Sequence, residues 1–197
     1  MIRIFIILLI PLLLIGCIGC QANNDPINYF SQNHMYKMED GTILPTFDDG
    51  PNENTSFILD KLKEYNIKAA FFVIGQNAEK YPDILQRIVD EGHYLGNHTY
   101  NHTRVNASSL IDLQNEILKT QNIIKKYTTL KWFRPPCGEI SSEIDKWLYD
   151  NEFKVVRWTI GGSINMDLKP GDIILMHDKD NMNELDLKLN KIKSITN

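Results

Sequence analysis

Short apolar runs alternate with amphipathic helical stretches from about residue 41 to the end of the chain, and no other feature of the sequence restricts the fold so strongly. Residues 41–47, 69–74, 93–97, 131–134, 154–158 and 172–176 read as strands. Between them, 55–65, about 78–91, about 109–127, 144–151 and 184–195 read as helices. Ile84, Leu85, Ile88 and Val89 fall on one helical face, as do Leu110, Leu113, Ile117, Leu118 and Ile124. Ser108 or Ser109 is placed to cap the longest helix, and Ser109 with Asp112 resembles a capping box. Repeated strand–helix units predict a parallel sheet covered by helices, with about six strands. The expected fold class is therefore α/β.

The turns carry no Gly-x-Gly-x-x-Gly signature, so nucleotide binding is not indicated. Net charge is -4, which leaves no basic footprint for nucleic acid. With 43% hydrophobic residues in 197, the chain can bury a core without disulfides, and Cys137 is the one cysteine in the strand–helix region. The first 20 residues differ from the rest. Arg3 is their single charge, and an apolar run from Ile4 to Ile15 is broken only by Pro11. That is the layout of a secretory signal over residues 1–16. It ends in Leu14-Ile15-Gly16-Cys17, which resembles the lipobox of bacterial lipoproteins. That resemblance implies cleavage before Cys17, a diacylglycerol on its sulfur and stable anchoring to the outer face of the cell membrane; a plain secreted form is the alternative. Residues 17–40 then read as lipidated cysteine and tether, and 41–197 as one catalytic domain.

Four segments carry chemistry. Thr46-Phe47-Asp48-Asp49-Gly50-Pro51 ends a strand with adjacent carboxylates, which can divide between holding a metal and acting on water. As a bare tetrapeptide, Asp-Asp-Gly-Pro is also an ordinary surface turn. Asn97-His98-Thr99-Tyr100-Asn101-His102 sets imidazoles at i and i+4, on one face if the segment is helical. With Asp49 they make a His₂–carboxylate set that leaves coordination positions open for water and substrate. Phe133-Arg134-Pro135-Pro136-Cys137-Gly138 pairs an arginine suited to a carboxylate with a rigid backbone whose N–H can be preset as an oxyanion donor. Ile173-Ile174-Leu175-Met176-His177-Asp178 delivers a histidine at the end of a buried strand.

In order and approximate spacing these segments resemble the polysaccharide deacetylase family, over about residues 41–190. Thr-Phe-Asp-Asp-Gly-Pro and Asn-His-Thr-Tyr-Asn-His are highly specific for it. The resemblance implies a distorted, incomplete (β/α) barrel, here shortened near residues 161–170. It implies Asp48 as general base, with Arg134 orienting it, and His177 as general acid. It implies Asp49, His98 and His102 as ligands to a divalent metal, Zn²⁺ foremost, with Co²⁺ or others able to serve. The Cys137 backbone N–H would bind the oxyanion, and Leu175 and Trp158 would line the substrate pocket. The partner implied is an N-acetylated glycan polymer such as peptidoglycan or chitin, acted on by a monomer that removes acetyl groups as acetate.

The sequence departs from the family at three places. Cys137 stands where most members have Tyr. No Asp-Trp pair follows the strand around Trp158, so His177 lacks its usual carboxylate, with Asp167 nearest in sequence; reduced activity or a different partner for His177 is expected. Pro45 sits inside a strand, which puts pairing there in question. The competing readings are a degenerate protein that binds metal and glycan without turnover, and an esterase or cyclic amidase using the same site.

Overall fold

The computed structural model describes residues 33–196. The expected signal at 1–16, the lipidated Cys17 and most of the tether lie outside them. The described chain builds one eight-stranded, all-parallel sheet. In chain order its strands are β1 (His34–Met35), β2 (Leu44–Asp48), β3 (Ala70–Val73), β4 (Tyr94–Asn97), β5 (Trp132–Phe133), β6 (Lys154–Val156), β7 (Ile160–Gly161) and β8 (Ile173–His177). The order across the sheet is β1-β6-β5-β4-β3-β2-β8-β7. The end strands β1 and β7 do not pair with each other, so the sheet curls into a half-barrel with an open seam. The helices are α1 (Thr55–Tyr65), α2 (Gly75–Lys80), α3 (Pro82–Asp90), α4 (Leu110–Ile124), α5 (Ser142–Asp150) and α6 (Leu185–Thr196).

The helices start and stop for local reasons. Ser109 caps α4 by accepting the Asp112 N–H, and its hydroxyl donates to the Asp112 carboxylate at 2.6 Å. Asn66 closes α1 in the left-handed region at φ 55°. The helix expected to run unbroken from about residue 78 is two helices. Tyr81, directly before Pro82, is forced out of helical geometry (φ -125°, ψ 56°), and Pro82 then starts α3.

Apolar side chains sort onto the two faces of the sheet. On the outer face Phe47, Phe71, Ile174 and Met176 pack beneath Ile58, Leu59 and Leu62 of α1, Leu85 and Ile88 of α3, and Leu189 and Ile192 of α6. Farther round, Phe133 and Val155 meet Leu113 and Ile117 of α4 and Ile144 and Leu148 of α5. On the inner face lie Leu44, Ala70, Phe72, Val156 and Ile173. The inner face also carries Thr46, Asp48, Leu175 and His177, because β2 and β8 run in register with Thr46 opposite Leu175 and Asp48 opposite His177.

Two expectations change, and a third, the shortening near residues 161–170, holds. Residues 33–40 are not tether: β1 adds to the β6 edge, and the His34 ring bonds Asp145 of α5 at 2.8 Å. An Asn- and Asp-rich composition hid a strand of two residues whose pairing partner lies far along the chain. Pro45 is accommodated inside β2: pairing with β3 begins only at Thr46, and the Thr46 hydroxyl donates to the Ile174 carbonyl at 2.7 Å. Between β7 and β8 the crossover has no helix; Met166 and Leu168 enter the core where a helix face would otherwise sit.

Candidate metal centre

Asp48, Asp49, His98, Arg134 and His177 sit at or directly after the carboxyl ends of strands, where a parallel sheet gathers its connecting loops, and His102 and Cys137 lie in those loops. Asp48 is the last residue of β2 and Asp49 follows it at φ 73°. That left-handed step turns the chain so that the neighbouring carboxylates serve one site instead of pointing to opposite faces. His98 follows β4 directly. The expected shared helical face for His98 and His102 is not how they meet. The segment is an irregular loop with Thr99 at φ 64° and His102 at φ 59°, and it brings the two rings to 5.0 Å between centroids. The Asn97 side chain pins its start by accepting the Thr99 N–H, and Glu116 of α4 accepts the N–H groups of Tyr100 and Asn101.

Asp49 Oδ1 lies 3.6 Å from His98 Nε2 and 3.3 Å from His102 Nε2. Four ligands about 2.0–2.1 Å from a tetrahedral metal stand roughly 3.4 Å apart, so these spacings match edges of such a shell. Other observations fit the same occupant. Asp49 Oδ1 is buried and has no hydrogen-bond partner among the described residues. His98 Nδ1 donates to the Arg134 carbonyl at 2.7 Å, which fixes the proton there and leaves Nε2 as a bare lone pair. Burial also lowers the His98 pKa, against the pull of Asp48, and so keeps the ring neutral. Burial pushes the Asp49 carboxyl upward, but Lys179, first through its hydrogen bond and then through its charge, outweighs it and the pKa ends below the usual value. Among the described residues Asp49, His98 and His102 are the one His, Cys, Asp and Glu cluster spaced to hold a metal; Cys137, an exposed thiol, is not part of it.

Around this cluster stand the other expected residues. Arg134 is fully buried under the sheet's inner face, stacked on the Phe72 ring at 4.1 Å. Its Nη1 donates to Asp48 Oδ1 at 2.8 Å and to the Thr46 hydroxyl at 2.5 Å; its Nε and Nη2 reach the carbonyls of Val156 and Arg157. Asp48 is therefore held by one oxygen, and Oδ2 remains, 3.9 Å from His98 Nε2. Cys137 is at φ 58° in the turn Pro136–Gly138, and Trp158 lies so close to Gly138 that any Cβ there would collide with its ring. Leu175 lies two residues before His177 on the same face of β8.

His177 finds a carboxylate that sequence spacing to Asp167 did not suggest. Asp180 Oδ1 is 3.5 Å from His177 Nδ1, and its other oxygen accepts the His177 N–H. The adjacent Asp178, an alternative partner, turns away: it accepts the Thr55 hydroxyl and packs beneath Gly50. Burial pushes the Asp178 carboxyl up to about 7 even though the Thr55 bond opposes the shift. Two further residues were missed. Lys179 Nζ bonds Asp49 Oδ2 at 2.5 Å, and Asn77 donates to the Asp49 carbonyl at 3.0 Å. Lys179 and Asp180 stand two and three residues after the strand-end histidine, and that closeness was the available signal.

The family profile described as polysaccharide deacetylase matches residues 36–156. A peptidoglycan-N-acetylglucosamine deacetylase of Bacillus cereus is 41% identical over 151 residues, which cover 68% of this chain and 55% of that protein. The chain thus spans about half the length of that relative. Among solved structures, the Bc1960 peptidoglycan N-acetylglucosamine deacetylase superposes with TM-score 0.75 at 34% identity, covering 82% of this chain and 86% of the other. A family 4 carbohydrate esterase from Streptomyces lividans, in complex with acetate, gives TM-score 0.72 at 28% identity, covering 79% and 88%.

Proposed function

The chain belongs to the polysaccharide deacetylase family, and from that premise we propose that it is a metal-dependent hydrolase removing N-acetyl groups from the amino sugars of peptidoglycan and releasing acetate. The observation that carries this reading is the convergence of Asp49 Oδ1, His98 Nε2 and His102 Nε2 beside a carboxylate, Asp48, that Arg134 holds by one oxygen only. Zn²⁺ is the proposed ion, since two imidazoles and one carboxylate with open positions suit it. The site of action is outside the cytoplasm, with the chain anchored through Cys17.

Asp49, His98 and His102 would hold a divalent metal, which when bound would supply Lewis acidity toward the acetyl carbonyl and toward water. Asp48 takes the proton of the attacking water on Oδ2, because Oδ1 is committed to Arg134. The water oxygen then bonds the acetyl carbon. The Cys137 N–H donates to the carbonyl oxygen as negative charge develops on it; a backbone donor works equally well from Cys or Tyr. His177 gives a proton to the departing nitrogen, its Nδ1 side facing Asp180. Leu175 and Trp158 wall the space for the acetyl methyl. The C–N bond breaks, leaving acetate and a free amine.

The test is acetate release from N-acetylglucosamine oligomers and peptidoglycan strands, with and without chelator. Asp48→Asn is expected to bind metal as the wild type does and to lose at least about 100-fold in kcat, the usual scale for a general base. Full turnover by that variant would exclude Asp48 as the base. Release from an acetylated xylan but not from amino sugars would move the reading to an esterase.

A further inference from the structure

Beside the Pro136–Gly138 turn lies a concavity of about 280 Å³ that adjoins the candidate site. Tyr36, Cys137, Gly138, Arg157 and Trp158 line it. It shares structure with the candidate site through Cys137, whose N–H is assigned to the oxyanion, and through Arg134, which holds Asp48 with one end and the Arg157 carbonyl with the other. The volume lies just under the usual range for ligand pockets, which suits one sugar ring and not an oligomer. Its walls are aromatic: Tyr36 is 53% exposed, and the Trp158 indole closes the other side against Gly138.

Arg157 gives the cavity its sign. The side chain is half-buried, donating Nη1 to the Gly138 carbonyl and Nε to His34 Nδ1 at 3.4 Å. Among the described residues no carboxylate lies within 4.0 Å of its guanidinium. The nearest acid that acts on it, Asp145, is taken by His34 at 2.8 Å. Burial accordingly lowers the Arg157 pKa, with Tyr36 and Asp145 only partly opposing it. A half-buried cation with no acidic partner among the described residues, next to an open aromatic cleft, is matched by an anion that arrives with the ligand. The planar fork of arginine favours a carboxylate.

We propose that this cavity is a subsite for a carboxylate-bearing sugar adjoining the one that is deacetylated, such as the lactyl-substituted amino sugar that alternates with N-acetylglucosamine in peptidoglycan strands, at positions where no stem peptide is amide-bonded to the lactyl carboxyl. Tyr36 and Trp158 stack the ring and Arg157 binds the carboxylate. The inference rests on the deacetylase reading for its kinetic arm and stands without it for its binding arm.

The kinetic arm compares kcat/KM for a glycan strand freed of its stem peptides, whose lactyl carboxylates are therefore bare, with that for the same strand after those carboxylates are reduced to alcohols. The wild type is expected to prefer the acid by about tenfold, the scale of one charge-assisted bond at a partly solvated site. Arg157→Gln brings that ratio to about one through KM, and Arg157→Lys retains part of it. A wild-type ratio of one overturns the proposal. So does an Arg157→Gln variant that loses both substrates in equal proportion, since Arg157 would then only brace the Gly138 turn. The binding arm follows tryptophan fluorescence on titration with N-acetylmuramic acid or N-acetylglucosamine, with Trp158→Phe as the control for the signal's source. Quenching by the acid alone, lost in Arg157→Gln, supports the subsite; equal or absent quenching by both overturns it. If the wild type releases acetate from no strand, the deacetylase reading fails while the fluorescence still decides the subsite.

Discussion

Asp49 stands between competing cations. One carboxylate oxygen faces the two imidazoles and the other is bonded to the Lys179 ammonium at 2.5 Å. The lysine fixes the carboxylate's rotation, so that a single oxygen is offered to a metal. It also sets a positive charge beside the place where a second would bind. At a few ångströms such repulsion is worth several kcal/mol at low dielectric, but Lys179 is 70% exposed and water screens most of it. Repulsion is expected to outweigh positioning, because Asp49 is also held through its backbone by Asn77. Lys179→Met should therefore bind Zn²⁺ about tenfold more tightly in competition with a chromogenic chelator, a shift of the size a screened ion pair allows. Weaker binding would mean that the lysine's main work is to hold the carboxylate in place. Arg134 has no such ambiguity. It is buried, with its N–H groups committed to Asp48, Thr46 and two carbonyls, so lysine could not replace its fork.

At the level of single elements, the entry to β4 carries a titrating group remote from the metal. His93 is buried, and its Nδ1 accepts the Ala69 N–H at 3.1 Å, so the ring is neutral with its proton on Nε2. Nε2 has no hydrogen-bond partner among the described residues. Burial, helped by Lys68, lowers its pKa to about 4 from 6.5. Between those values the unfolded chain binds the proton and the folded chain does not. The His93 contribution to stability is therefore complete above about pH 6.5 and is lost as pH falls toward 4. At about 1.4 kcal/mol per unit, the loss is on the order of 3 kcal/mol. His93→Asn keeps an acceptor near Nδ1 but cannot titrate. Urea unfolding at pH 7 and pH 4.5 should show a smaller difference for the variant than for the wild type. An equal difference would place the acid sensitivity elsewhere.

Across the whole molecule, a metal at Asp49, His98 and His102 would join the loop after β2 to the loop after β4, two strands away in the sheet. Binding to the folded state alone adds stability by mass action, about 4 kcal/mol at a free concentration of 1,000 times Kd. Zn²⁺ should raise the thermal midpoint of the wild type, and chelator should reverse the rise. His102→Ala, which removes a half-exposed ligand and little packing, should show no such rise. A Zn²⁺-dependent rise that persists in that variant would locate the ion somewhere else.

Much of this protein could be read along the chain. Strand and helix periods, the Ser109 cap and the strand-end placement of Asp48, His98, Arg134 and His177 all depend on neighbours within a few residues, and sequence alone determined them. What the fold decided involves partners far apart: Lys179 meets Asp49 across 130 positions, and β1 pairs with β6 near residue 155. The loop that joins His98 to His102 depends on two non-glycine residues in the left-handed region, a choice no local preference makes for Thr and His. Likewise the missing motif predicts reduced activity or a different partner for His177 without naming that partner; the turn after β8 supplies Asp180. Periodicity fixes which face a residue shows, whereas which groups meet there depends on how a curled sheet brings the ends of its strands together.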